Sequence, residues 1–168
     1  MAERLLGTVL RHDQEDQTSR PTLGEIGLNH FAPYLMNRVM ARWNADIAEE
    51  LKAHGLTTAK MRALAVLSVS ASLTINELSV FAVTEQSTMS RTLEALEEQG
   101  YILRRPRAGD LRIRDVSITE EGRAAFDKFW PSMYDSLLKM FDGVTDEEYR
   151  AFTAVLHKIL VNIRKHDI

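Results

Sequence analysis

Apolar residues recur at helical spacing in the first third of the chain. Between about His30 and His54 they are separated mostly by three or four residues, which predicts a long amphipathic helix. The positions are Tyr34, Leu35, Val39, Trp43, Ile47 and Leu51. Gly55 is expected to end this helix, and Thr57 to cap a second helix over about 58–70. Residues 1–27 show no clear period and are expected to form a flexible N-terminal arm.

Two further helices are predicted at the end of the chain. Thr119 begins a long helix that contains Pro131, and Thr145 opens the last helix through a capping box with Glu148. Together with the first long helix, these elements carry more apolar surface than one small domain needs. We therefore expect 28–56 and 119–168 to form a helical dimerisation region. Residues 57–118 are expected to form a second region of the same continuous domain.

Within residues 57–118, the pattern predicts two short helices joined by a tight turn. Thr74 and Glu77 form a capping box that opens a helix through about Phe81. Thr84 is expected to cap the next helix, Glu85–Gln99. Its inward stripe consists of Met89, Leu93 and Leu96, at positions i, i+4 and i+7. Two short helices joined in this way form a helix-turn-helix unit.

The outward face of the second of these helices changes along its length. Its C-terminal half carries Glu94, Glu97 and Glu98, which DNA phosphates would repel. Its N-terminal half carries small hydroxyl groups that allow close approach to a major groove, and an arginine that reaches a base edge or a phosphate. The DNA contacts predicted here are Thr84, Gln86, Ser87, Thr88, Ser90 and Arg91. The alternative is an ordinary solvated helix face.

Alternation with period two after Gly100 predicts a two-stranded hairpin. Residues 101–104 form the first strand, 106–110 the turn, and 112–118 the second strand. Five arginines against two aspartates over 101–118 make this ribbon positive, and a narrow minor groove attracts inserted arginine. The predicted contacts are Arg107, Arg112 and Arg114, with Asp110 orienting a neighbouring arginine. The alternative is an arginine-rich, solvated hairpin.

Composition limits the other function classes. The chain has 168 residues, which suits one domain, and no cysteine, which excludes disulfides and thiolate chemistry. It has no long apolar run and no signal-peptide pattern, so no membrane association and a cytoplasmic location are expected. The formal net charge of −3 argues against nucleic-acid binding, but positive charge is concentrated in the ribbon.

Chemistry other than binding has little support in the sequence. We find no nucleophile–base arrangement and no phosphate-binding glycine loop, so neither an enzyme nor a cofactor is expected. The five histidines do not show the H-E-x-x-H spacing, so no metal site is predicted.

Several of these motifs are similar to those of one family. Asp110-Leu-Arg112, Val116-Ser-Ile-Thr119 and Gly122 are similar to the wing pattern of the MarR family of bacterial transcriptional regulators. Ser87-Thr88-Met89-Ser90-Arg91 is similar to the opening of its recognition helix. The chain resembles this family over roughly 30–166.

The resemblance implies a mainly α fold with a small β-wing, an α+β winged helix-turn-helix. It implies a homodimer that binds a palindromic operator in double-stranded DNA, with Arg112 as the wing-tip arginine for the minor groove. It also implies a ligand-responsive repressor, because many members release DNA when a small ligand, often a phenolic or aromatic acid, binds. A winged-helix protein–protein adaptor and a metal-sensing regulator of the same fold are the alternatives.

The ligand would bind between the dimer helices and the winged region. Asn37 and Arg38 interrupt an apolar stretch, which suits capture of a carboxylate against aromatic walls. The candidate residues are Tyr34, Asn37, Arg38, Trp43, Met61, Arg62, Trp130 and Tyr134. The alternative is that Arg38 pairs with an acid at the interface and that the aromatic residues are plain core.

Overall fold

The computed structural model of the chain describes residues 22–107 and 109–164. The fold in these residues is mainly helical with a small antiparallel sheet, which confirms the predicted winged helix-turn-helix architecture. The chain divides into two compact units, with the boundary between Glu49 and Glu50. Most of the predicted N-terminal arm, residues 1–21, lies outside the described residues.

The first unit begins with a short helix, α1 (Leu23–Ile26), and a 3-10 turn (Leu28–His30). A capping box between Thr22 and Glu25 opens α1. The long helix α2 (Ala32–Ala53) follows and ends in the second unit. Its bounds agree to within two residues with the helix that the apolar spacing predicts.

The second unit holds the other elements. They are α3 (Thr58–Ser68), β1 (Leu73–Thr74), α4 (Ile75–Phe81), α5 (Gln86–Glu98), β2 (Ile102–Arg107), β3 (Asp110–Ile118), α6 (Glu120–Met140) and α7 (Asp146–Ile163). The predicted threonine caps are confirmed, because each hydroxyl accepts a backbone N–H three residues later. They are Thr57, Thr74, Thr119 and Thr145.

The turn between α4 and α5 differs from the prediction in its cap. Glu85 precedes the first helical residue, and its side chain makes no capping hydrogen bond. The hydroxyl of Thr84 donates instead to the backbone oxygen of Ala82, at 3.0 Å. The prediction of Thr84 as the cap is therefore wrong, because its hydroxyl satisfies the end of α4 and not the start of α5.

The sheet has one strand more than the sequence predicts. In the described residues the strand order is β1-β3-β2, all antiparallel, with Leu73 of β1 opposite Val116 of β3. The predicted hairpin is confirmed as β2 and β3. A strand of two residues, such as β1, is too short to show alternation in the sequence.

The hairpin strands also extend further than predicted. Pro106 lies inside β2, opposite Arg114, and β3 already begins at Asp110. The prediction of a turn from Pro106 to Asp110 is therefore too long. Proline is tolerated here because β2 is an edge strand, and the register is irregular between Pro106 and Arg107.

One hydrophobic core joins the helix-turn-helix to the wing and to α6. Its buried members are Ala63, Leu64, Leu67, Leu78, Ala82, Met89, Leu93, Leu96, Ile102, Val116 and Phe126. Every element of the second unit from α3 to α6 contributes to this core or packs against it. The outward faces of these elements are therefore carried by a packed scaffold, which fixes the direction in which each outward side chain leaves the backbone.

Candidate nucleic-acid interface

Helix α5 has a fully buried face and an open one. Met89, Leu93 and Leu96 are 0% exposed, as the inward stripe predicts. On the open face the first half of the helix exposes Gln86, Ser87, Thr88 and Arg91, while Ser90 is half-buried. This half thus presents neutral hydrogen-bonding groups and one cation, the side-chain types that read base edges in a major groove.

The turn before α5 is held by contacts from neighbouring helices. The backbone of Val83 has a φ of +50°, a value that residues other than glycine rarely adopt. Arg62 of α3 donates to the backbone oxygen of Val83 at 3.3 Å, and Gln86 Nε2 donates to Asn76 Oδ1 of α4 at 2.7 Å. These contacts fix the position from which α5 starts.

An open groove of about 720 Å³ lies along this turn. It is lined by Asn76, Glu77, Ser79, Val80, Val83, Thr84, Glu85 and Gln86. Residues of both helix-turn-helix helices therefore face the same solvent-filled space.

The acidic half of α5 is partly neutralised by the wing. Glu94 and Glu98 are exposed, as expected, but Glu97 accepts hydrogen bonds from both Arg104 Nε, at 2.7 Å, and Arg104 Nη2. The hydrogen bond from Arg104 is the main cause that lowers the pKa of Glu97. This pair ties β2 to α5, so Arg104 serves the fold of the interface.

Arg107 is held in a similar way on the other side of the wing. Its Nη2 lies 2.7 Å and its Nε 3.0 Å from Asp115 Oδ1, and Nη2 is also 3.9 Å from Glu77 Oε2. The hydrogen bond to Asp115 is the main cause that raises the pKa of Arg107. The side chain of Asp110 lies outside the described residues, and Asp115 orients an arginine here.

Glu77 connects the wing to the first helix of the helix-turn-helix. Its carboxylate accepts from the backbone N–H and the hydroxyl of Thr74, each at 2.7 Å. The bond from the Thr74 N–H is the main cause that lowers the pKa of Glu77, and Arg107 adds to it. One carboxylate thus caps α4 and attracts the arginine of β2.

The ribbon offers less positive charge than its five arginines suggest, because Arg104 and Arg107 each have a carboxylate partner. The side chains of Arg105, Arg112 and Arg114 are exposed. The predicted contacts at Arg112 and Arg114 therefore remain accessible to a duplex.

Sequence reasoning missed Asn76 and Asp115. Asn76 stands at an unspecified position of the capping box, and Asp115 stands between Arg114 and Val116 on a strand, where the local sequence does not indicate its partner. Finding Asp115 needs the register of the hairpin, in which it lies opposite Arg105 of β2. The pairing of Asn76 with Gln86 needs the packing of α4 on α5.

The candidate ligand residues are distributed over both units. On α2, the Arg38 guanidinium lies over the Tyr34 ring at 5.8 Å, Asn37 is exposed and Trp43 is half-buried. In the second unit, Met61 is buried and Arg62 braces Val83. The rings of Trp130 and Tyr134 are 6.0 Å apart and about half exposed. A ligand site formed from these residues remains a prediction.

The described part of the chain holds neither a cluster of metal-ligand side chains nor a helix that could span a membrane. In residues 22–107 and 109–164, no cluster of three or more histidine or acidic side chains is arranged to hold a metal ion. None of the helices described there combines the length and apolarity needed to cross a membrane.

Comparisons with known proteins agree with this geometry. A sequence model of the MarR family matches residues 54–113. An HTH-type transcriptional regulator of Bacillus cereus is 32% identical over 118 residues, which are 70% of this chain and 76% of that relative. The homoprotocatechuate degradative operon repressor of Escherichia coli is 25% identical over 120 residues, 70% of this chain and 81% of that protein.

A solved structure extends the similarity to nearly the whole chain. The crystal structure of a MarR-family transcriptional regulator from Silicibacter pomeroyi is 49% identical and superposes with a TM-score of 0.84, covering 88% of this chain and 100% of that one. The family and these relatives are transcriptional regulators and not enzymes. With a winged helix-turn-helix fold and relatives of this similarity, the chain belongs to the MarR family of DNA-binding transcriptional regulators.

Proposed function

We propose that this protein is a ligand-responsive repressor that binds a palindromic operator as a homodimer. The observation that carries the proposal is the open N-terminal half of α5, which presents neutral hydrogen-bonding groups and the cation of Arg91 above a fully buried stripe. Such a half-helix enters a major groove, while the wing arginines reach the minor groove beside it. The proposed DNA contacts are Thr84, Gln86, Ser87, Thr88, Ser90, Arg91, Arg107, Arg112 and Arg114.

A second copy of the chain is needed for affinity and specificity. One short helix makes few base contacts, whereas a twofold pair about 34 Å apart reads two half-sites one helical turn apart. The two C-terminal helices support such a pair, because Leu138 of α6 is 55% exposed and Leu160 of α7 is 57% exposed. A subunit interface over 28–56 and 119–168 would cover these apolar side chains.

The ligand we propose is a small aromatic or phenolic acid. The Escherichia coli relative represses an operon for the degradation of homoprotocatechuate, which is itself a phenolic acid. Each unit offers chemistry that suits such a ligand: the first has the guanidinium of Arg38 beside Tyr34, and the second has the paired rings of Trp130 and Tyr134. A guanidinium binds a carboxylate, and aromatic side chains cover an aromatic ring.

A gel-shift experiment on DNA from upstream of the chain's own gene tests the proposal. The full chain should shift a palindromic fragment, with an affinity that falls steeply as salt rises. Arg91→Ala and Arg112→Ala should each cost about 1–3 kcal/mol, so the double variant should lose the shift. Arg150→Ala removes a positive charge from α7 and should bind as the parent does.

The same experiment addresses the ligand, because adding members of a panel of aromatic acids should release the bound fragment. Two results would contradict the proposal. One is full operator affinity in the double arginine variant, which would mean that the contacts lie elsewhere. The other is a shift that no acid in a broad panel reverses, which would remove the ligand-responsive part.

A further inference from the structure

The first turns of α4 and α5 are joined by a hydrogen bond between two amide side chains. Gln86 Nε2 donates to Asn76 Oδ1 at 2.7 Å, across ten residues of sequence. Both side chains are exposed, and both line the open groove along the turn. Gln86 is also the first residue of α5. The N-terminal residues of a recognition helix are those that contact base edges.

The bond fixes the direction of the Gln86 side chain. Helices α4 and α5 are held together through the shared core, in which Leu78 and Met89 are both fully buried. Asn76 is therefore carried by a rigid partner helix and not by a loop. A glutamine held in this way has already lost rotational freedom that it would otherwise lose on binding DNA.

The hydrogen-bonding groups of Gln86 that Asn76 does not use are complementary to one base. A glutamine amide has one carbonyl oxygen and two N–H groups, and the bond to Asn76 uses one N–H. The carbonyl oxygen and the second N–H remain. This is the acceptor–donor pair that binds adenine N6–H and N7 in the major groove.

The surroundings disfavour a phosphate as the target. Glu77 and Glu85 both line the same groove. The Glu77 carboxylate is held by Thr74 and lies near Arg107, but Glu85 is exposed, and its negative charge would repel the DNA backbone. A base edge carries no net charge and is compatible with these neighbours. We infer that Gln86 reads an adenine in each operator half-site and that Asn76 is the positioning residue that holds its amide, an inference that rests on the proposed operator binding.

The test begins with duplexes that the full chain selects from a pool with a randomised core. In the selected duplex, each A·T pair is replaced in turn by the other pairs, and each adenine by 7-deazaadenine, which lacks the N7 acceptor. For the parent chain, either change at one particular adenine of each half-site should lower the affinity by about 10- to 100-fold. The Gln86→Ala variant should bind duplexes that differ only at that base pair with equal affinity.

Asn76→Ala should reduce the preference at the same base pair by roughly tenfold and leave the salt dependence unchanged, because neither amide carries a charge. Asn29→Ala, an exposed asparagine in the first unit, is the matched control and should keep the full preference. Thermal unfolding checks that Asn76→Ala is folded.

A preference that survives Gln86→Ala overturns the base assignment. A preference unchanged by Asn76→Ala, or a salt slope that falls by about one, overturns the positioning role, since the latter result marks a lost phosphate contact. If the parent selects no duplex at all, the proposed operator binding itself fails, and this inference fails with it.

Discussion

At the scale of single residues, Gly122 is the described glycine with the least room for a side chain. A Cβ atom there would lie 2.0 Å from the backbone oxygen of Tyr101 and 3.0 Å from Ile118 Cγ1. The same oxygen accepts the backbone N–H of Thr119, and the hydroxyl of Thr119 donates to Gly100 and accepts from Gly122. The start of α6 is thus joined directly to the end of α5 and the base of the wing.

Gly122→Ala is expected to lower the free energy of unfolding by about 1–3 kcal/mol or more, because the backbone of Tyr101 must move to admit a methyl group. Chemical denaturation with circular dichroism measures the change. Gly24→Ala is the control, since a Cβ at Gly24 meets its nearest atom, Thr22 Oγ1, only at 3.9 Å. Equal destabilisation of both variants would mean that the close approach at Tyr101 is not the cause.

Residues differ in how far the sequence alone could predict their roles. Thr74 and Glu77 are predicted because both partners of a capping box lie within four residues of each other. Asn76 and Asp115 are not, because their partners come from other elements and depend on helix packing and strand register. Arg107 shows the same limit: its charge is visible in the sequence, but its carboxylate partner is not.

At the scale of elements, the wing is attached to the helix-turn-helix by charge on both sides. Arg104 bonds to Glu97 of α5, and Arg107 bonds to Asp115 and lies near Glu77 of α4. These pairs hold the ribbon in place beside the recognition helix. They also compensate two of the ribbon's cations, which should lower its affinity for arbitrary sequences.

Asp115→Asn should release Arg107 from its main partner. A freed guanidinium can bind a phosphate, so affinity for non-specific duplex should rise, and the slope of log K against log salt should steepen by about one. Fluorescence anisotropy over a range of salt concentrations measures both. Asp135→Asn makes the same charge change on α6 and should leave the slope as it is. Weaker binding with an unchanged slope would show that Asp115 supports the wing without restraining Arg107.

At the scale of the whole molecule, a single chain does not explain the exposed apolar surface of α7. All of α7 lies in the described part of the chain, and no residue of it is buried. Apolar side chains along it are exposed, among them Phe152 at 44%, Leu160 at 57% and Ile163 at 67%. Sequence periodicity predicts an apolar stripe but not what covers it, because an inward face and a subunit interface have the same spacing.

Leu160→Glu should therefore convert a dimer into a monomer, because an interface cannot bury an unpaired carboxylate without a large cost. Sedimentation equilibrium at micromolar concentration gives the mass of each variant. Lys158→Glu introduces the same group at an exposed polar position of α7 and should remain dimeric. Operator binding supplies a second readout, since a monomer should bind a full palindrome no better than a single half-site, whereas the dimer combines the free energies of two. A Leu160→Glu variant that stays dimeric and still prefers the palindrome would place the subunit interface on other elements than this part of α7.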